Sequence, residues 1–314
     1  MNKIELEKTH QRIKPYVHNT PVLTSQIINK LCDAEVYFKC ENFQKMGAFK
    51  MRGAVNAILC LNTEQKTKGV VTHSSGNFAQ ALSLASNYLG VNAYIVMPKN
   101  APKVKKAAVR SYGGVIIESD NTTKARETMA LKVQNEKGAT FIHPSNDTQV
   151  IYGQGTAAIE LLKEYDDLDY LMAPIGGGGL IAGTILAAQN YSNQCKVIGA
   201  EPKEVDDAYR SLKSGKIESN DSSNTIADGL RTYLGSNNFP IIKQYIQEII
   251  CVDENEIVEA MKLVWERMKI VIEPSSAVPV AALIQNKEKF RNKKIGIIIS
   301  GGNVDLSKLP FWQQ

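Results

Sequence analysis

Residues 170–188 read YLMAPIGGGGLIAGTILAA, an apolar strand-like run followed by four glycines and an apolar helical run. Consecutive glycines let the backbone fold tightly, so that successive N–H groups point toward one place. The positive end of the following helix dipole adds to this field, and together they make a cradle for an anion. The stretch therefore predicts a strand–loop–helix unit that binds a phosphate.

Short β-rich runs and longer amphipathic runs alternate along nearly the whole chain. The predicted strands are Glu35–Cys40, Gly69–Ser74, Asn92–Met97, Gly114–Glu118, Thr140–Pro144, Tyr170–Ile175, Lys196–Glu201, Glu248–Val252 and Ile295–Ser300. This alternation predicts βαβ units, and hence an α/β fold of parallel sheets with helices on both faces. In such sheets ligands bind beyond the carboxyl ends of the strands, so a site is expected in the loops that follow them.

The composition excludes several classes of protein. With 314 residues, 43% of them hydrophobic and 22% charged, the chain can build a large core and more than one domain. No apolar run approaches the roughly 20 residues that a membrane span needs. The net charge of +5 is well interspersed, which argues against a nucleic-acid partner. The five cysteines are scattered and form no CxxC pair, which favours reduced thiols and a cytoplasmic location.

A dinucleotide-binding turn is a competing interpretation of the glycine loop. Gly177, Gly179 and Ala182 fit the pattern G-x-G-x-x-A, and Glu201 ends the next predicted strand about 20 residues later. Because any run of four glycines nearly satisfies this pattern, it is weak evidence. An NAD-dependent dehydrogenase therefore remains an alternative, as does a non-catalytic protein that binds a phosphorylated metabolite.

Two further segments carry residue types suited to catalysis. THSSGN at 72–77 places Ser74, Ser75 and Asn77 at a predicted helix start, where backbone N–H groups would suit a substrate carboxylate. Ser and Asn also serve there as simple helix caps. Lys50 lies among apolar residues, which lowers the pKa of a lysine and makes its amine nucleophilic. On its own, Lys50 could also be an ordinary helix lysine.

Taken together, these loops resemble segments of one enzyme family. ENFQKMGAFKMRGA, THSSGN, GQGT, TIADGL, LVWERMK, IEP and SGGNVD are similar, in the same order, to segments of fold type II pyridoxal-phosphate enzymes. The likeness runs from Pro21 to the loop at Ser300, and lies in the serine/threonine dehydratase group, closest to its serine racemases. The resemblance implies a tryptophan synthase β-like fold of two domains. The large cofactor-binding domain would comprise 1–68 and 146–314, and the small mobile domain 69–145.

The resemblance also implies roles around pyridoxal 5′-phosphate. Lys50 would hold the cofactor as a Schiff base and act as base on one face of the substrate carbon. Phe49 would pack beside the ring, and Asn77 would hydrogen-bond the ring hydroxyl. The residues that would cradle the phosphate are Gly176, Gly177, Gly178, Gly179 and Leu180. Ser300 would face the pyridine nitrogen, where a neutral hydroxyl leaves that nitrogen largely unprotonated and the ring a milder electron sink.

For the substrate, the resemblance places Ser75 across from Lys50 as the group that exchanges a proton on the opposite face. Ser74, Ser75 and Asn77 would lie near the substrate carboxylate, and Arg126 matches an arginine associated with closure of the small domain. The implied reaction is interconversion of L- and D-serine, with dehydration of serine to pyruvate and ammonia. The alternative within the family is a dehydratase of L-threonine, L-serine or threo-3-hydroxyaspartate without significant racemisation.

Further implied sites bind a metal ion and a nucleotide. Glu201, the carbonyl of Val205 and Asp207 match a divalent-cation site, and oxygen ligands suit Mg²⁺ or Ca²⁺. Plain surface acids are the alternative. The residues that match an ATP effector site are Ser25, Lys45, Gln80 and Tyr112. A homodimer that acts on a small amino acid, without a nucleic-acid or membrane partner, completes what the resemblance implies.

Overall fold

Two sheets form the framework of the protein, which a computed structural model describes over residues 3–311. The strands are β1 (Val22–Leu23), β2 (Glu35–Cys40), β3 (Val70–His73), β4 (Ala93–Pro98), β5 (Val115–Ser119), β6 (Thr140–Phe141), β7 (Tyr170–Pro174), β8 (Lys196–Pro202), β9 (Glu248–Val252) and β10 (Lys294–Ile299). The larger sheet has the order β1-β2-β10-β7-β8-β9, and the smaller has the order β5-β4-β3-β6. All pairings are parallel except that of β1 with β2.

Helices connect nearly all of these strands. They are α1 (Lys3–Ile13), α2 (Gln26–Cys32), α3 (Lys50–Leu59), α4 (Thr63–Lys68), α5 (Asn77–Tyr88), α6 (Lys103–Ser111), α7 (Thr123–Lys137), α8 (Thr148–Glu164), α9 (Gly179–Tyr191), α10 (Asp207–Ser214), α11 (Phe239–Tyr245), α12 (Glu254–Met268), α13 (Pro274–Gln285) and α14 (Lys287–Phe290). Short 3₁₀ helices cover Glu41–Phe43, Lys45–Gly47, Lys203–Val205, Asp228–Leu230 and Leu306–Lys308. None of the helices described is long and apolar enough to cross a membrane.

The larger sheet is covered by helices on both faces, and its central strand β10 is apolar from Ile295 to Ile299. Ile295, Ile297 and Ile299 pack into the cluster formed with α12 and α13, whereas Ile298 packs into the cluster formed with α8 and α9. Successive side chains of a strand point to opposite faces, so a continuous apolar run suits a parallel strand covered by helices on both sides. The predicted α/β fold with parallel sheets is confirmed.

The smaller sheet is formed by strands between Val70 and Phe141, and it also lies between helices. Val70 and Ile95 pack with residues of α3 and α5, and Val71 packs with residues of α7 on the other face. All four strands lie inside the range predicted for the small domain, whose limits stay a prediction. The first two and last three residues of the predicted large domain lie outside the described residues.

One predicted strand was too long, and one short strand was not predicted. The strand predicted over Thr140–Pro144 ends at Phe141, because the chain then turns onto the ring of His143. Nδ1 of His143 accepts the backbone N–H groups of Ser145 and Asn146 at 3.2 and 2.9 Å. The antiparallel strand β1 was not predicted, because two residues cannot display a period.

The strand order places the candidate loops along one edge of the larger sheet. The glycine loop follows β7, Ser300 follows β10, and the segment that leads to Lys50 follows β2. Because β2, β10 and β7 are adjacent and parallel, their carboxyl ends lie side by side. The fold therefore gathers these three segments, which are far apart in sequence.

Candidate active site

Lys50 begins α3 and reaches toward the turn after β6. Its Nζ donates a hydrogen bond to the carbonyl of Pro144 at 2.8 Å, and lies 5.0 Å and 5.7 Å from the ring centroids of Phe49 and Phe78. Burial lowers the pKa of Lys50 to about 8, although the negative charge of Glu273 opposes this shift. A lysine with this pKa keeps part of its amine uncharged near neutral pH, as a nucleophile requires.

The glycine loop lies between β7 and α9 and has no space for side chains. Gly178 has φ +81°, and a Cβ at Gly177 would lie 2.3 Å from Oγ of Ser145. A Cβ at Gly176 would lie 2.8 Å from Cα of Leu230. No side chain caps the start of α9, so the first N–H groups of this helix are open to a ligand. These donors fit a phosphate group.

The turn at Pro144 and Ser145 connects the lysine to the glycine loop. The carbonyl of Pro144 accepts the hydrogen bond from Lys50, and the next residue packs against the loop. A Cβ at Gly179 would lie 2.9 Å from the carbonyl oxygen of Ser145. The structure thus brings the predicted lysine and the predicted phosphate cradle to one place.

Asn238 holds the glycine loop in place by hydrogen bonds to its backbone. Sequence analysis did not identify this residue. Its buried Nδ2 donates to the carbonyls of Gly177 at 2.8 Å and Ser145 at 3.0 Å, and its Oδ1 accepts the N–H of Gly235 at 3.0 Å. All the hydrogen bonds that this amide makes therefore hold backbone around the cradle. The sequence SNNFP gives only the signal of a helix start, so nothing in it points to the loop.

Asn77 lies at the start of α5 and is held by two side chains. Its Nδ2 donates to both carboxylate oxygens of Glu273 at 3.0 Å, and its Oδ1 accepts from Nδ2 of Asn303 at 3.0 Å. Burial raises the pKa of Glu273 to about 7, although the hydrogen bond from Asn77 opposes the shift. Sequence reasoning gave Glu273 no role, although the IEP motif that contains it was a signal.

Ser300 lies at the carboxyl end of β10, beside the lysine segment. Its carbonyl accepts the N–H of Phe49 at 3.0 Å, and its side chain is almost completely buried. Oγ of Ser300 lies 3.0 Å from Oγ of Ser276. The structure therefore joins Ser300 to the same site as Lys50, as the sequence predicted.

The serine loop lies between β3 and α5, close to the lysine. Ser75 makes no side-chain hydrogen bond within the described part of the chain, whereas Oγ of Ser74 accepts the N–H of Gly76 at 3.4 Å. Phe78, three residues after Ser75, carries the ring that lies 5.7 Å from Nζ of Lys50. The serine loop therefore lies near Lys50, and the hydroxyl of Ser75 is available to bind another group.

Arg126 lies on α7, outside this cluster. It donates to Oγ1 of Thr123 at 2.9 Å, and its buried Nε has no hydrogen-bond partner. Its positive charge acts on His73 at the end of β3, where it helps to lower the pKa of that imidazole, mainly lowered by burial. The structure does not bring Arg126 into hydrogen-bond contact with the serine loop.

The predicted metal ligands gather at the end of β8. Glu201 is buried, and its two oxygens accept the N–H groups of Ala208 at 3.0 Å and Tyr209 at 2.9 Å. Burial raises the pKa of Glu201 well above its usual range, and the nearby charge of Asp207 adds to the shift. Val205 lies in the 3₁₀ helix between the two acids.

The carboxyl group of Asp207 is incompletely satisfied. Burial raises its pKa to about 6, Oδ1 accepts from Nδ2 of Asn220 at 2.5 Å, and Oδ2 is buried without a hydrogen-bond partner. A divalent cation fits this oxygen set, because it would pair the orphaned oxygen and favour both ionised carboxylates. Within residues 3–311 no cluster of three or more His, Cys, Asp or Glu side chains could hold a metal. The predicted set is different, since it combines two carboxylates with one backbone carbonyl.

The four residues predicted to line a nucleotide site have other neighbours. Ser25 caps α2 by accepting the N–H of Ile28 at 3.4 Å, and Nζ of Lys45 lies 4.9 Å from the ring centroid of Tyr88. Gln80 is buried in α5, and Tyr112 follows α6. No hydrogen bond joins the side chains of any two of the four predicted residues, all of which lie in the described part of the chain.

A lysine of lowered pKa that meets a glycine-rich loop at the carboxyl edge of a parallel sheet is typical of fold type II pyridoxal-phosphate enzymes. Comparison with known proteins agrees. The family model described as pyridoxal-phosphate dependent enzyme matches residues 13–301, and the chain belongs to this family. Membership favours a phosphate cradle over a dinucleotide turn.

Individual relatives are similar over nearly their full length. A serine racemase of Dictyostelium discoideum is 51% identical over 309 residues, which cover 97% of this chain and 95% of that protein. A beta-hydroxyaspartate dehydratase of Paracoccus denitrificans (strain Pd 1222) is 50% identical over 302 residues, which cover 96% of each. The crystal structure of the Dictyostelium serine racemase matches with a TM-score of 0.93 at 51% identity, covering 98% of this chain and 99% of that chain.

Proposed function

We propose that this pyridoxal-phosphate enzyme interconverts L- and D-serine and also dehydrates serine to pyruvate and ammonia. The observation that carries the proposal is the free hydroxyl of Ser75 in the loop before α5, the helix on which the ring of Phe78 lies 5.7 Å from Nζ of Lys50. Racemisation needs one proton-transfer group on each face of the α-carbon, and this loop offers a second group beside the lysine. The similarity to serine racemases supports the same reaction.

The residues of the site fit the cofactor, and different residues would bind its phosphate, its ring and its ring hydroxyl. When bound, pyridoxal 5′-phosphate supplies an electron-withdrawing ring that stabilises negative charge on the substrate α-carbon. The N–H groups of Gly176 to Leu180 would hold its phosphate, and Phe49 would pack beside its ring. Asn77 would hydrogen-bond the ring hydroxyl, in an orientation fixed by Glu273.

Lys50 and Ser75 would move the protons. The lowered pKa of Lys50 lets Nζ accept the α-proton on one face near neutral pH and return it. Oγ of Ser75 would exchange a proton on the other face. Dehydration needs proton removal only on the lysine face, so the same site supports elimination. Ser74 and Asn77 would bind the substrate carboxylate at the start of α5.

A dehydratase of threo-3-hydroxyaspartate, L-threonine or L-serine is the second candidate. The similarity to a beta-hydroxyaspartate dehydratase supports it, as does Arg126, whose buried Nε has no partner. A guanidinium group with an unused donor would suit the second carboxylate of hydroxyaspartate. On this alternative, Arg126 would approach the substrate when the small domain moves.

One assay separates the two candidates. The holoenzyme is incubated with L-serine, L-threonine and threo-3-hydroxyaspartate, and both keto acid and D-amino acid are measured. The racemase proposal expects D-serine and pyruvate from L-serine. Keto acid without D-serine from the native protein would overturn the racemase in favour of the dehydratase.

We also infer the following features of the whole enzyme. Residues 69–145 would form a small domain that closes over the substrate, and 1–68 with 146–314 would form the large domain. Support comes from the separate four-stranded sheet within the first range. We further propose a homodimer that works in the cytoplasm on small amino acids, with no nucleic acid or membrane as partner.

The proposed metal site uses Glu201, Asp207 and the carbonyl of Val205 to bind Mg²⁺ or Ca²⁺. The unpaired Oδ2 of Asp207 supports it. ATP as an effector is proposed on the resemblance alone, at Ser25, Lys45, Gln80 and Tyr112. Calorimetric titration of the native protein with ATP measures binding at this nucleotide site directly.

A further inference from the structure

The turn that follows β6, residues 144–146, uses all of its backbone polar groups. Its three carbonyls accept hydrogen bonds from side chains of other segments: Pro144 from Nζ of Lys50 at 2.8 Å, Ser145 from Nδ2 of Asn238 at 3.0 Å and Asn146 from Nδ2 of Asn237 at 2.7 Å. Because proline has no N–H, the turn has only two N–H groups. Both donate to Nδ1 of His143, from Ser145 at 3.2 Å and from Asn146 at 2.9 Å.

The direction of these two hydrogen bonds is fixed, because a backbone N–H can only donate. Nδ1 of His143 is therefore unprotonated, and the neutral ring carries its proton on Nε2. Burial, together with the neighbouring His73 and Lys50, lowers the pKa of His143 to about 4. At neutral pH the imidazole is thus uncharged, and Nδ1 remains an acceptor.

The same turn contacts both parts of the candidate site. On one side, its Pro144 carbonyl accepts the hydrogen bond from the amine of Lys50. On the other side, Ser145 packs so closely on the glycine loop that a Cβ at Gly179 would lie 2.9 Å from the carbonyl oxygen of Ser145. A shift of the turn would therefore change the surroundings of the amine and of the loop together.

We propose that His143 is a positioning residue, whose Nδ1 sets the conformation of the turn that the amine of Lys50 and the glycine loop both contact. Asn and Asp side chains often bind the N–H groups of the residues that follow them in a turn, and the imidazole does the same here. The inference rests on the proposed function, because it takes Lys50 as the reacting amine and the glycine loop as the phosphate cradle.

Packing of the imidazole ring is the competing explanation for His143. Its ring lies edge to face with those of His73 and Phe141, at centroid distances of 5.8 and 6.2 Å. Three substitutions separate the ring from the acceptor. His143→Phe keeps an aromatic ring and removes the acceptor, whereas His143→Asn removes the ring and keeps an acceptor at the δ position. His143→Gln removes the ring and places its acceptor one bond further out.

The first measurement reports on the glycine loop. Pyridoxine 5′-phosphate has the phosphate of the cofactor but no aldehyde, so it can bind the cradle without reacting with Lys50. Calorimetric titration of the full-length protein, freed of cofactor, gives its dissociation constant. We expect this constant to rise about tenfold in His143→Phe and His143→Gln, the size of one hydrogen bond, and to stay within about twofold of the native value in His143→Asn.

The second measurement reports on Lys50. Pyridoxal, which lacks the phosphate, condenses with the uncharged amine and releases water, and the resulting Schiff base is followed by its visible absorbance. The pH at which this reaction reaches half its maximal rate follows the pKa of the amine. Lys50→Ala gives the background from other lysines.

The Pro144 carbonyl stabilises the charged form of the Lys50 amine, so displacement of this carbonyl lowers the midpoint. We expect a fall of about one pH unit in His143→Phe and His143→Gln, and the native midpoint in His143→Asn. Glu273 is the charged group that raises the pKa of Lys50, and these variants leave it in place. Because His143 is uncharged at neutral pH, its substitution removes no charge near the amine.

His73→Phe is the matched control. His73 belongs to the same cluster of rings, but its own ring makes no hydrogen bond to the turn within the described residues. Both measurements should give native values in this variant. Thermal unfolding shows whether each variant is folded, and if His143→Phe is not, the comparison of His143→Gln with His143→Asn decides.

The opposite pattern, with native values in His143→Phe and altered values in His143→Asn, would show that ring packing matters and overturn the inference. Native values in both His143→Phe and His143→Gln overturn it too, as does a change confined to one of the two measurements. Equal changes in His73→Phe and His143→Phe have the same consequence.

Two further outcomes keep this inference separate from the proposed function. If Lys50→Ala reacts with pyridoxal as the native protein does, the proposed role of Lys50 fails, and the inference fails with it. If Lys50→Ala loses the reaction but the His143 variants match the native protein, only the inference fails. A native enzyme that makes no D-serine, with His143 variants that behave as expected, overturns the racemase proposal and keeps the inference.

Discussion

Lys50 combines a lowered pKa with two aromatic rings near its Nζ and a hydrogen bond to the turn that packs on the glycine loop. We expect Lys50→Ala to abolish the visible absorbance of the covalently held cofactor and to reduce turnover at least about 10²–10⁴-fold, since no other group replaces this base. Absorbance spectra and product assays measure both effects. Lys14→Ala, which removes an exposed lysine, is the control and should change neither. Retained absorbance and activity in Lys50→Ala would end the assignment.

On the proposed mechanism, the single hydroxyl of Ser75 distinguishes racemisation from elimination. We expect Ser75→Ala to lose D-serine formation from L-serine by about 10²–10⁴-fold while it retains much of its pyruvate formation. Only racemisation needs a proton on the face opposite Lys50. The measured quantity is the ratio of the two products, because a folding defect would lower both. An equal loss of both products would mean that Ser75 mainly positions the substrate.

Short motifs led sequence analysis to residues that the fold gathers in one place, although their chemical roles stay predictions. Lys50, Asn77 and Ser300 were predicted from local segments, and the fold brings them together. Glu273 and Asn238 had no predicted role, because each acts through partners that are distant in sequence. Glu273 meets Asn77 across 196 positions, and Asn238 meets the glycine loop across 61. The IEP motif marked the segment of Glu273 but not its contact with Asn77, and the local sequence around Asn238 indicated only a helix start.

At the scale of elements, a buried ion network holds the start of α3 against β2 and α8. Arg52, two residues after Lys50, pairs with Glu41 and Glu160 at 2.7 Å each, and Lys39 pairs with Glu160 at 2.7 Å. Although burial favours the neutral acid, the charges of Arg52 and Lys39 and several hydrogen bonds hold the pKa of Glu160 far below its usual range. The network holds the helix from which Lys50 projects.

We expect Glu160→Gln to destabilise the protein by about 3–5 kcal/mol, because it leaves buried Arg52 and Lys39 with too little negative charge. Denaturant unfolding at neutral pH measures the loss. Since the folded state lowers the pKa of Glu160, its stabilisation is present above the unfolded pKa and disappears as pH falls, so the difference between variant and native protein should shrink in acid. Glu64→Gln, in an exposed pair with Lys68, is the control. A similar small change in both variants would contradict a stabilising network.

The sequence predicted the alternation of elements better than their ends. Strands at Glu35–Cys40 and Glu248–Val252 were predicted with the observed bounds, because short segments rich in β-branched and aromatic residues define them. The end of β6 depends on the ring of His143, which accepts two backbone N–H groups. A side-chain contact of this kind is set by the folded turn, and periodicity cannot reveal it.

At the scale of the whole molecule, a cation that binds the folded protein but not the unfolded chain would stabilise the folded state. We expect Mg²⁺ or Ca²⁺ to raise the stability of the holoenzyme by about 2.7 kcal/mol at one hundred times its dissociation constant. Thermal unfolding with and without a chelator measures the effect. Glu201→Ala should abolish the metal response. Glu204→Ala, which removes an exposed acid in the same segment, should keep it. A melting temperature that chelation does not change would show that the metal site is wrong.

The pH dependence of this stabilisation gives a second test, because it follows from the burial of the two acids. Without metal, burial raises the pKa of Asp207 to about 6, so the metal-free protein loses stability as pH rises from the unfolded value through 6. A divalent cation binds the ionised carboxylates and offsets that loss, so its stabilising effect should grow between pH 5 and pH 8 and nearly vanish at the acid end. Asp207→Asn should remove most of this pH dependence. Metal stabilisation that is equal at pH 5 and pH 8 would place the cation at a different site.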